Sequence, residues 1–191
     1  METLVVVDAQ NEFSPDGKRP VPNHASALEV IRRRVDVARH EGRPIAWIRH
    51  HNRPDEAPAF LPGSWGAELS PGLGPVSGYG PEVELQKDVF GAFSGTELES
   101  WMESGGSDAV VLVGFYAHMC LSTTAREGLM RGLTVSVDPQ GTGACDLEHP
   151  LLGKQSADEV HRSALLHLSQ LGVRITPPLE VGAAATAEAK G

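Results

Sequence analysis

The amino-acid sequence predicts a three-layer, doubly wound α/β fold, in which helices flank both faces of a mostly parallel sheet of roughly six strands. Short β-branched runs alternate along the chain with segments of helical periodicity, which is the pattern of repeated β-α-β units. Two of these runs, residues 4–7 and 110–113, are apolar at every position instead of alternating. Continuous apolar runs are typical of central parallel strands, because such strands are buried on both faces.

The predicted strands share a high content of β-branched residues and are bounded by turn-forming residues. They cover residues 3–8, 44–49, 83–87, 109–115, 134–137 and 173–176. Each is separated from the next by enough chain for a crossover, so the expected architecture is Rossmann-like. The segment between the second and third strands, residues 54–81, is rich in Gly and Pro, and loops of that length are often functional.

Four helices are predicted from capping residues and apolar spacing. They cover residues 23–41, a segment starting at 96, residues 120–131 and a segment starting at 156. Asn23 has the side chain of an N-cap, and Thr96 with Glu99 and Ser156 with Glu159 have the spacing of capping boxes. The length of 191 residues fits one domain, assigned to residues 1–181, with an Ala-rich tail at 182–191.

Composition and charge exclude several classes of function. The net charge is -9 and no basic stripe is present, so nucleic acid is not an expected partner. The longest apolar runs are far shorter than the roughly 20 residues of a transmembrane helix, so no membrane span is expected. The first residues lack the features of a signal peptide, which favours a cytoplasmic location. The only two cysteines, Cys120 and Cys145, are expected to be free thiols.

Three chemically reactive residues fall at or just beyond the ends of predicted strands. Asp8 ends the first strand, Lys87 ends the third, and Cys120 lies shortly after the fourth, where a helix begins. In a doubly wound sheet these positions converge on the ligand-binding edge. A helix N-terminus and a nearby ammonium stabilise a thiolate, and a carboxylate beside them can move protons. The pattern therefore predicts a hydrolase with a cysteine nucleophile.

Several segments carry a family resemblance. These are residues 4–13, 60–64, 66–69, 86–96, 114–121 and 123–126, which include Asp8, Lys87 and Cys120. The chain resembles the isochorismatase-like cysteine hydrolase superfamily, which includes nicotinamidases, N-carbamoylsarcosine amidohydrolase, ureidoacrylate amidohydrolases and isochorismatases. The resemblance implies a catalytic triad of these three residues, a cis peptide bond between Phe115 and Tyr116, and an oxyanion hole formed by the backbone N–H groups of Tyr116 and Cys120.

The resemblance also guides expectations about ligands. Phe13 and Trp65 are candidates to line an apolar substrate pocket. Nicotinamidases have an Asp-x-His metal motif after the second strand, whereas this chain has His50 and His51, which point to opposite faces of an extended segment. We therefore expect no metal and no other cofactor. The resemblance further implies a homo-oligomer, either a dimer or a tetramer.

The predicted function is hydrolysis of an amide or ureido C–N bond in a small molecule, through a thioester on Cys120. One alternative on the same fold is hydrolysis of an ester or an enol ether. Another is a catalytically inactive relative that serves as a binding or assembly module, although Asp8, Lys87 and Cys120 are all present.

Overall fold

A computed structural model describes residues 1–177, so the Ala-rich tail at 182–191 lies outside the described part of the chain. Its main sheet has six strands, all parallel: β1 (Glu2–Val7), β2 (Ile45–His50), β3 (Glu82–Lys87), β4 (Ala109–Gly114), β5 (Thr134–Thr142) and β8 (Arg174–Ile175). Their order across the sheet is β3-β2-β1-β4-β5-β8, and the two remaining strands form a separate hairpin described below. The predicted three-layer α/β fold is confirmed.

Four α-helices connect the strands within residues 1–177. They are α1 (His24–His40), α2 (Leu98–Ser104), α3 (Cys120–Met130) and α4 (Ala157–Gln170). The capping box of Ser156 and Glu159 is present at the start of α4, as predicted. None of the helices in this part of the chain has the length and apolarity required to cross a membrane.

Two predicted caps are wrong in detail. Asn23 precedes α1, but its side-chain amide donates to the carbonyl of Thr142 at 3.0 Å and makes no capping bond. The hydroxyl of Thr96 accepts from the N–H of Leu98, the first residue of α2, at 3.2 Å, but Glu99 pairs with Arg131 at 2.9 Å and does not complete the capping box. In both cases a side chain that was expected to cap its own helix bonds instead to a residue distant in sequence.

The central strands β1 and β4 separate two apolar clusters, one on each face of the sheet. Leu4 and Val6 belong to one cluster, and Val5 and Val7 belong to the other. All four side chains are at most 2% exposed, which explains why the run shows no alternation. The carboxyl ends of both strands are therefore held rigidly at the same edge of the sheet.

The structure differs from prediction after β4. The strand β5 continues to Thr142, beyond the predicted end at Val137, and its pairing with β4 is irregular between Leu112 and Gly114. An antiparallel hairpin follows, formed by β6 (Leu147–His149) and β7 (Gly153–Gln155), which was not predicted. Its strands are three residues long and exposed, so they lack the buried periodicity on which strand prediction depends.

Candidate active site

The three reactive residues predicted to converge do meet at one edge of the sheet. Asp8 follows β1, Lys87 is the last residue of β3, and Cys120 is the first residue of α3. The Nζ of Lys87 donates to Oδ2 of Asp8 at 2.7 Å, and both side chains are fully buried. The thiol of Cys120 lies close enough to both for their charges to shift its pKa. The site lies between β1 and β4, where the strand order reverses, since β2 and β3 follow on one side and β5 and β8 on the other. Ligands usually bind at this position in doubly wound sheets.

The backbone around Asp8 is unusual. Its φ is 50°, a left-handed value that is uncommon outside glycine, and its N–H donates to the carbonyl of Ile48 at 2.9 Å. Next to it, Gly114 brings β4 against β1 so closely that a Cβ atom would lie 1.9 Å from the carbonyl oxygen of Val7. Glycine is therefore required at 114 for the segment that leads to Cys120 to approach Asp8.

All three protons of the Lys87 ammonium have acceptors. Besides Asp8, the Nζ contacts Nδ1 of His50 at 3.3 Å and the carbonyl of Val89 at 3.1 Å. Burial opposes the charged form of Lys87, but the negative charge of Asp8 favours it, and the pKa of Lys87 is raised. Lys87 is thus a fixed cation at neutral pH.

The resting protonation state of Cys120 differs from the sequence-based expectation of a thiolate. Burial and then the charge of Asp8 raise the pKa of the Cys120 thiol well above its ordinary value, although Lys87 lowers it. The proton therefore stays on sulfur at rest. Oδ1 of Asp8 is buried and has no hydrogen-bond partner among residues 1–177, which leaves it free to accept that proton.

The loop before α3 presents two unused backbone donors. The peptide bond between Phe115 and Tyr116 is cis, at the position that the family resemblance implies. In the described part of the chain, the backbone N–H groups of Tyr116 and Cys120 donate to no acceptor outside α3, and a first helical residue has no intrahelical acceptor. The N–H of Ala117 donates to Gly143 at 2.8 Å and anchors the loop.

His50 contacts the predicted triad, a role that sequence reasoning missed. Burial and the charge of Lys87 lower the pKa of His50, so its ring is neutral at pH 7. Since the ammonium donates to Nδ1, the proton lies on Nε2, which is 2.9 Å from Oδ1 of Asn52. Asn52 in turn donates to the carbonyl of Ala57 at 2.8 Å. The signal that could have identified this role is the parallel register of β2 and β3, which places His50 beside Lys87.

This network predicts a pH dependence of stability. Because the pKa of His50 is lowered on folding, the unfolded chain binds more protons between pH 6.5 and that lower value, and stability falls as pH falls through this window. Asparagine does not titrate in this range, so in the variant His50→Asn we expect the free energy of unfolding to decrease less than in wild type as pH falls. Urea denaturation between pH 5 and 8 measures it. The exposed His167→Asn serves as the control, and equal pH slopes in wild type and His50→Asn contradict the prediction.

The two adjacent histidines do not act together. His51 does not line the cavity that His50 faces, and its Nε2 is buried without a partner among residues 1–177. Within that range, no group of three or more His, Cys, Asp and Glu side chains is arranged to hold a metal ion. His50 instead directs its two nitrogens to Lys87 and Asn52.

A cavity of about 460 Å³ opens at this edge of the sheet, a size suited to a small molecule. Phe13 lines it, as proposed from the sequence, but Trp65 does not, and Trp65 is 50% exposed on a short 3-10 turn. The apolar wall is completed by side chains that the sequence did not identify, namely Ala57, Phe60, Val89, Phe90 and Met119. Asp8, His50, Tyr116 and Cys120 face the same space.

One buried carboxylate organises the rim of this cavity. Oε1 of Glu12 accepts from the backbone N–H of Lys18 at 2.8 Å, and Oε2 accepts from that of Phe60 at 3.1 Å. A Cβ at position 66 would lie 2.0 Å from Oε2 of Glu12, so a larger residue there would displace this carboxylate. Glu12 thus links the segment at Lys18, next to the cavity-lining Arg19, to the loop of Phe60, which also lines the cavity.

Comparison with known proteins agrees with this geometry. A family model described as the isochorismatase domain matches residues 2–176. A secreted isochorismatase effector from Verticillium dahliae is 35% identical over 144 residues, covering 75% of this chain and 73% of the relative. Nicotinamidase 3 from Arabidopsis thaliana is 26% identical over 176 residues, covering 87% and 79%.

Solved structures give the same result. The crystal structure of an isochorismatase from Pseudomonas putida KT2440 superimposes with a TM-score of 0.84 at 26% identity, covering 93% of this chain and 88% of that one. The family model spans nearly all of the described residues, including Asp8, Lys87 and Cys120. The chain therefore belongs to the isochorismatase family of hydrolases.

Proposed function

We propose that this protein hydrolyses an amide or ureido C–N bond of a small molecule through a thioester on Cys120. The observation that carries the proposal is the buried ion pair of Asp8 and Lys87 beside the thiol, with Oδ1 of Asp8 left without a partner among residues 1–177. A carboxylate with one oxygen fixed by an ammonium and the other free is suited to accept and return a proton.

The first half of the reaction uses this arrangement directly. Oδ1 of Asp8 accepts the thiol proton as sulfur attacks the carbonyl carbon, and the carbonyl oxygen becomes an oxyanion. The backbone N–H groups of Tyr116 and Cys120 stabilise that oxyanion. When the C–N bond breaks, Asp8 returns its proton to the departing amine, and the acyl group remains on sulfur as a thioester.

The second half regenerates the enzyme. A water molecule gives a proton to Asp8 and attacks the thioester, and the resulting intermediate collapses to a carboxylic acid, or to a carbamic acid from a ureide, while Asp8 returns the proton to sulfur. Lys87 stays protonated throughout, since its three protons are held by Asp8, His50 and Val89. Its positive charge lowers the cost of the anions that form beside it.

The need for proton return favours C–N bonds over esters. An amine leaves poorly unless it is protonated, whereas an alkoxide or enolate depends less on a proton donor. The site holds its proton carrier in the protein interior, where Asp8 and Lys87 are both fully buried. A relative of this chain is named as a nicotinamidase, which is consistent with amide chemistry on this fold.

A panel of small amides, ureides, esters and enol ethers tests the proposal. We expect turnover of at least one amide or ureide, abolished in Cys120→Ala and retained in the matched control Cys145→Ala. Rapid quenching followed by intact mass spectrometry should detect an acyl adduct on Cys120. Turnover confined to esters or enol ethers, or amide turnover that survives in Cys120→Ala, contradicts the proposal.

A further inference from the structure

A second cavity, of about 400 Å³, lies between α3, α4 and the hairpin of β6 and β7. Its size falls within the range of pockets that hold small molecules. Leu147 of β6 and Gln155 of β7 are among its lining residues, so we call it the hairpin cavity. It shares no lining residue with the active-site cavity, although His118 lines it from a position only two residues before the nucleophile.

The hairpin cavity differs from the active-site cavity in its charge. In the part of the chain that the structure describes, its titratable lining residues are Arg126, His118 and His167, and none is Asp or Glu. The whole chain has 25 acidic and 16 basic residues, so a cavity without a carboxylate is unexpected on composition. The active-site cavity, in contrast, is lined by Asp8, Glu56 and Asp88. An anion therefore meets like charge beside the nucleophile but not in the hairpin cavity.

Arg126 presents a fixed pair of donors. Its Nη1 donates to the hydroxyl and to the carbonyl of Ser122, four residues earlier on α3, which holds the guanidinium in one orientation. Its Nε and Nη2 donate to no acceptor among residues 1–177. These two groups form the planar edge of a guanidinium that binds two oxygens of a phosphate or carboxylate together.

Further polar groups surround this guanidinium. The hydroxyl of Ser163 and the side-chain amide of Gln155 line the cavity and make no hydrogen bond to the described residues. Burial lowers the pKa of His118, so its ring is neutral at pH 7. Its Nδ1 is buried without a partner in the same range, which leaves Nε2 as the nitrogen available to a ligand. Donors of several kinds suit a phosphate group, which has more oxygens to satisfy than a carboxylate.

His118 also connects the hairpin cavity to the active site. Its ring packs against that of Tyr116, with the centroids 5.1 Å apart and the planes at 31°. Tyr116 lines the active-site cavity, and its backbone N–H is one of the two proposed oxyanion donors. Ser122, a further lining residue, belongs to the first turn of the helix that begins at Cys120. Negative charge held beside this turn disfavours a thiolate at the same helix end.

We propose that the hairpin cavity binds the phosphate group of a small phosphorylated metabolite, and that its occupancy lowers the reactivity of Cys120. The guanidinium of Arg126 anchors the phosphate, and Gln155 and Ser163 complete its hydrogen bonds. The volume leaves room for a small organic group attached to the phosphate. This ligand is distinct from the substrate, so the site would regulate the nucleophile from outside the active-site cavity.

Calorimetric titration of the full chain with glycerol 3-phosphate tests the binding. We expect saturable binding to wild type, no binding of glycerol, and a Kd raised about 10-fold or more in Arg126→Met. Gln155→Glu adds a carboxylate from the exposed strand β7 that competes for Arg126, so it should weaken binding similarly without altering α3. Arg162→Met removes the same charge from an exposed position on α4 outside the cavity and should bind like wild type. Absence of binding to wild type, or equal binding to Arg126→Met and Gln155→Glu, overturns the site.

Alkylation of Cys120 by iodoacetamide tests the coupling. Saturating glycerol 3-phosphate should slow the labelling about 3-fold or more in wild type and in Arg162→Met, but not in Arg126→Met or Gln155→Glu. Slowing that persists in the last two variants places the phosphate in the active-site cavity and overturns the proposal. An unchanged rate in wild type, despite binding by calorimetry, overturns the coupling. Neither measurement requires turnover, so a failure of the proposed hydrolysis is distinguishable from a failure of this site.

Discussion

Asp8→Asn is expected to lower turnover by about 10²–10⁴-fold, the usual effect of losing a general acid and base. The amide retains an oxygen that can accept from Lys87, but it cannot take the thiol proton. It also leaves the Lys87 ammonium buried without a counter-charge, so we expect a loss of about 3–5 kcal/mol in the free energy of unfolding. Steady-state kinetics at a temperature where the variant is folded, together with urea denaturation, measure both effects.

A second buried ion pair provides the control for this variant. Asp138 is fully buried and accepts from Nε of Arg34 at 2.7 Å. Asp138→Asn removes a buried carboxylate from an arginine and should also destabilise the fold. It should leave turnover of the folded protein within a few-fold of wild type. If the two variants lose activity equally, Asp8 acts only through stability and its proton-transfer role is wrong.

Lys87→Met is expected to lower turnover strongly and to make Cys120 less reactive. Lys87 lowers the pKa of the Cys120 thiol against the effects of burial and Asp8, so its removal should raise that pKa further. The rate of iodoacetamide labelling as a function of pH should therefore shift to higher pH. The variant also leaves the Asp8 carboxylate unpaired in the interior, which should cost about 3–5 kcal/mol of stability.

The double variant Asp8→Asn with Lys87→Met separates charge pairing from chemistry. Neither buried charge remains, so the double variant should lose less free energy of unfolding than the sum of the losses of the two single variants. Its turnover should remain as low as that of Asp8→Asn. Recovery of activity along with stability, or a labelling profile unchanged in Lys87→Met, would mean that the two residues have only a structural role.

Sequence reasoning predicted the parts of this molecule that depend on local pattern and strand order. The apolar runs identified β1 and β4, and reactive residues at strand ends identified Asp8, Lys87 and Cys120, because parallel strands bring their carboxyl ends to one edge. The hairpin of β6 and β7 escaped prediction, since its short exposed strands carry no buried face.

The features missed at the site depend on contacts between distant segments. His50 meets Lys87 only through the register of β2 and β3, and Phe60 enters the cavity from a long irregular loop. The placement of Trp65 was wrong for the same reason, because nothing local determines the direction of a side chain on such a loop. The protonation of Cys120 likewise follows from its burial beside Asp8, which spacing along the chain does not reveal.

The way Glu12 holds the rim has a consequence for efforts to redesign the substrate range. Its carboxylate fixes the backbone at Lys18 and Phe60 and packs against Gly66, so an exchange in one of these loops will be transmitted to the others. Val89 and Phe90 line the cavity from a segment that Glu12 does not contact through any of these bonds. Libraries aimed at new substrates should therefore start at these two positions, where side-chain shape can vary while the rim keeps its geometry.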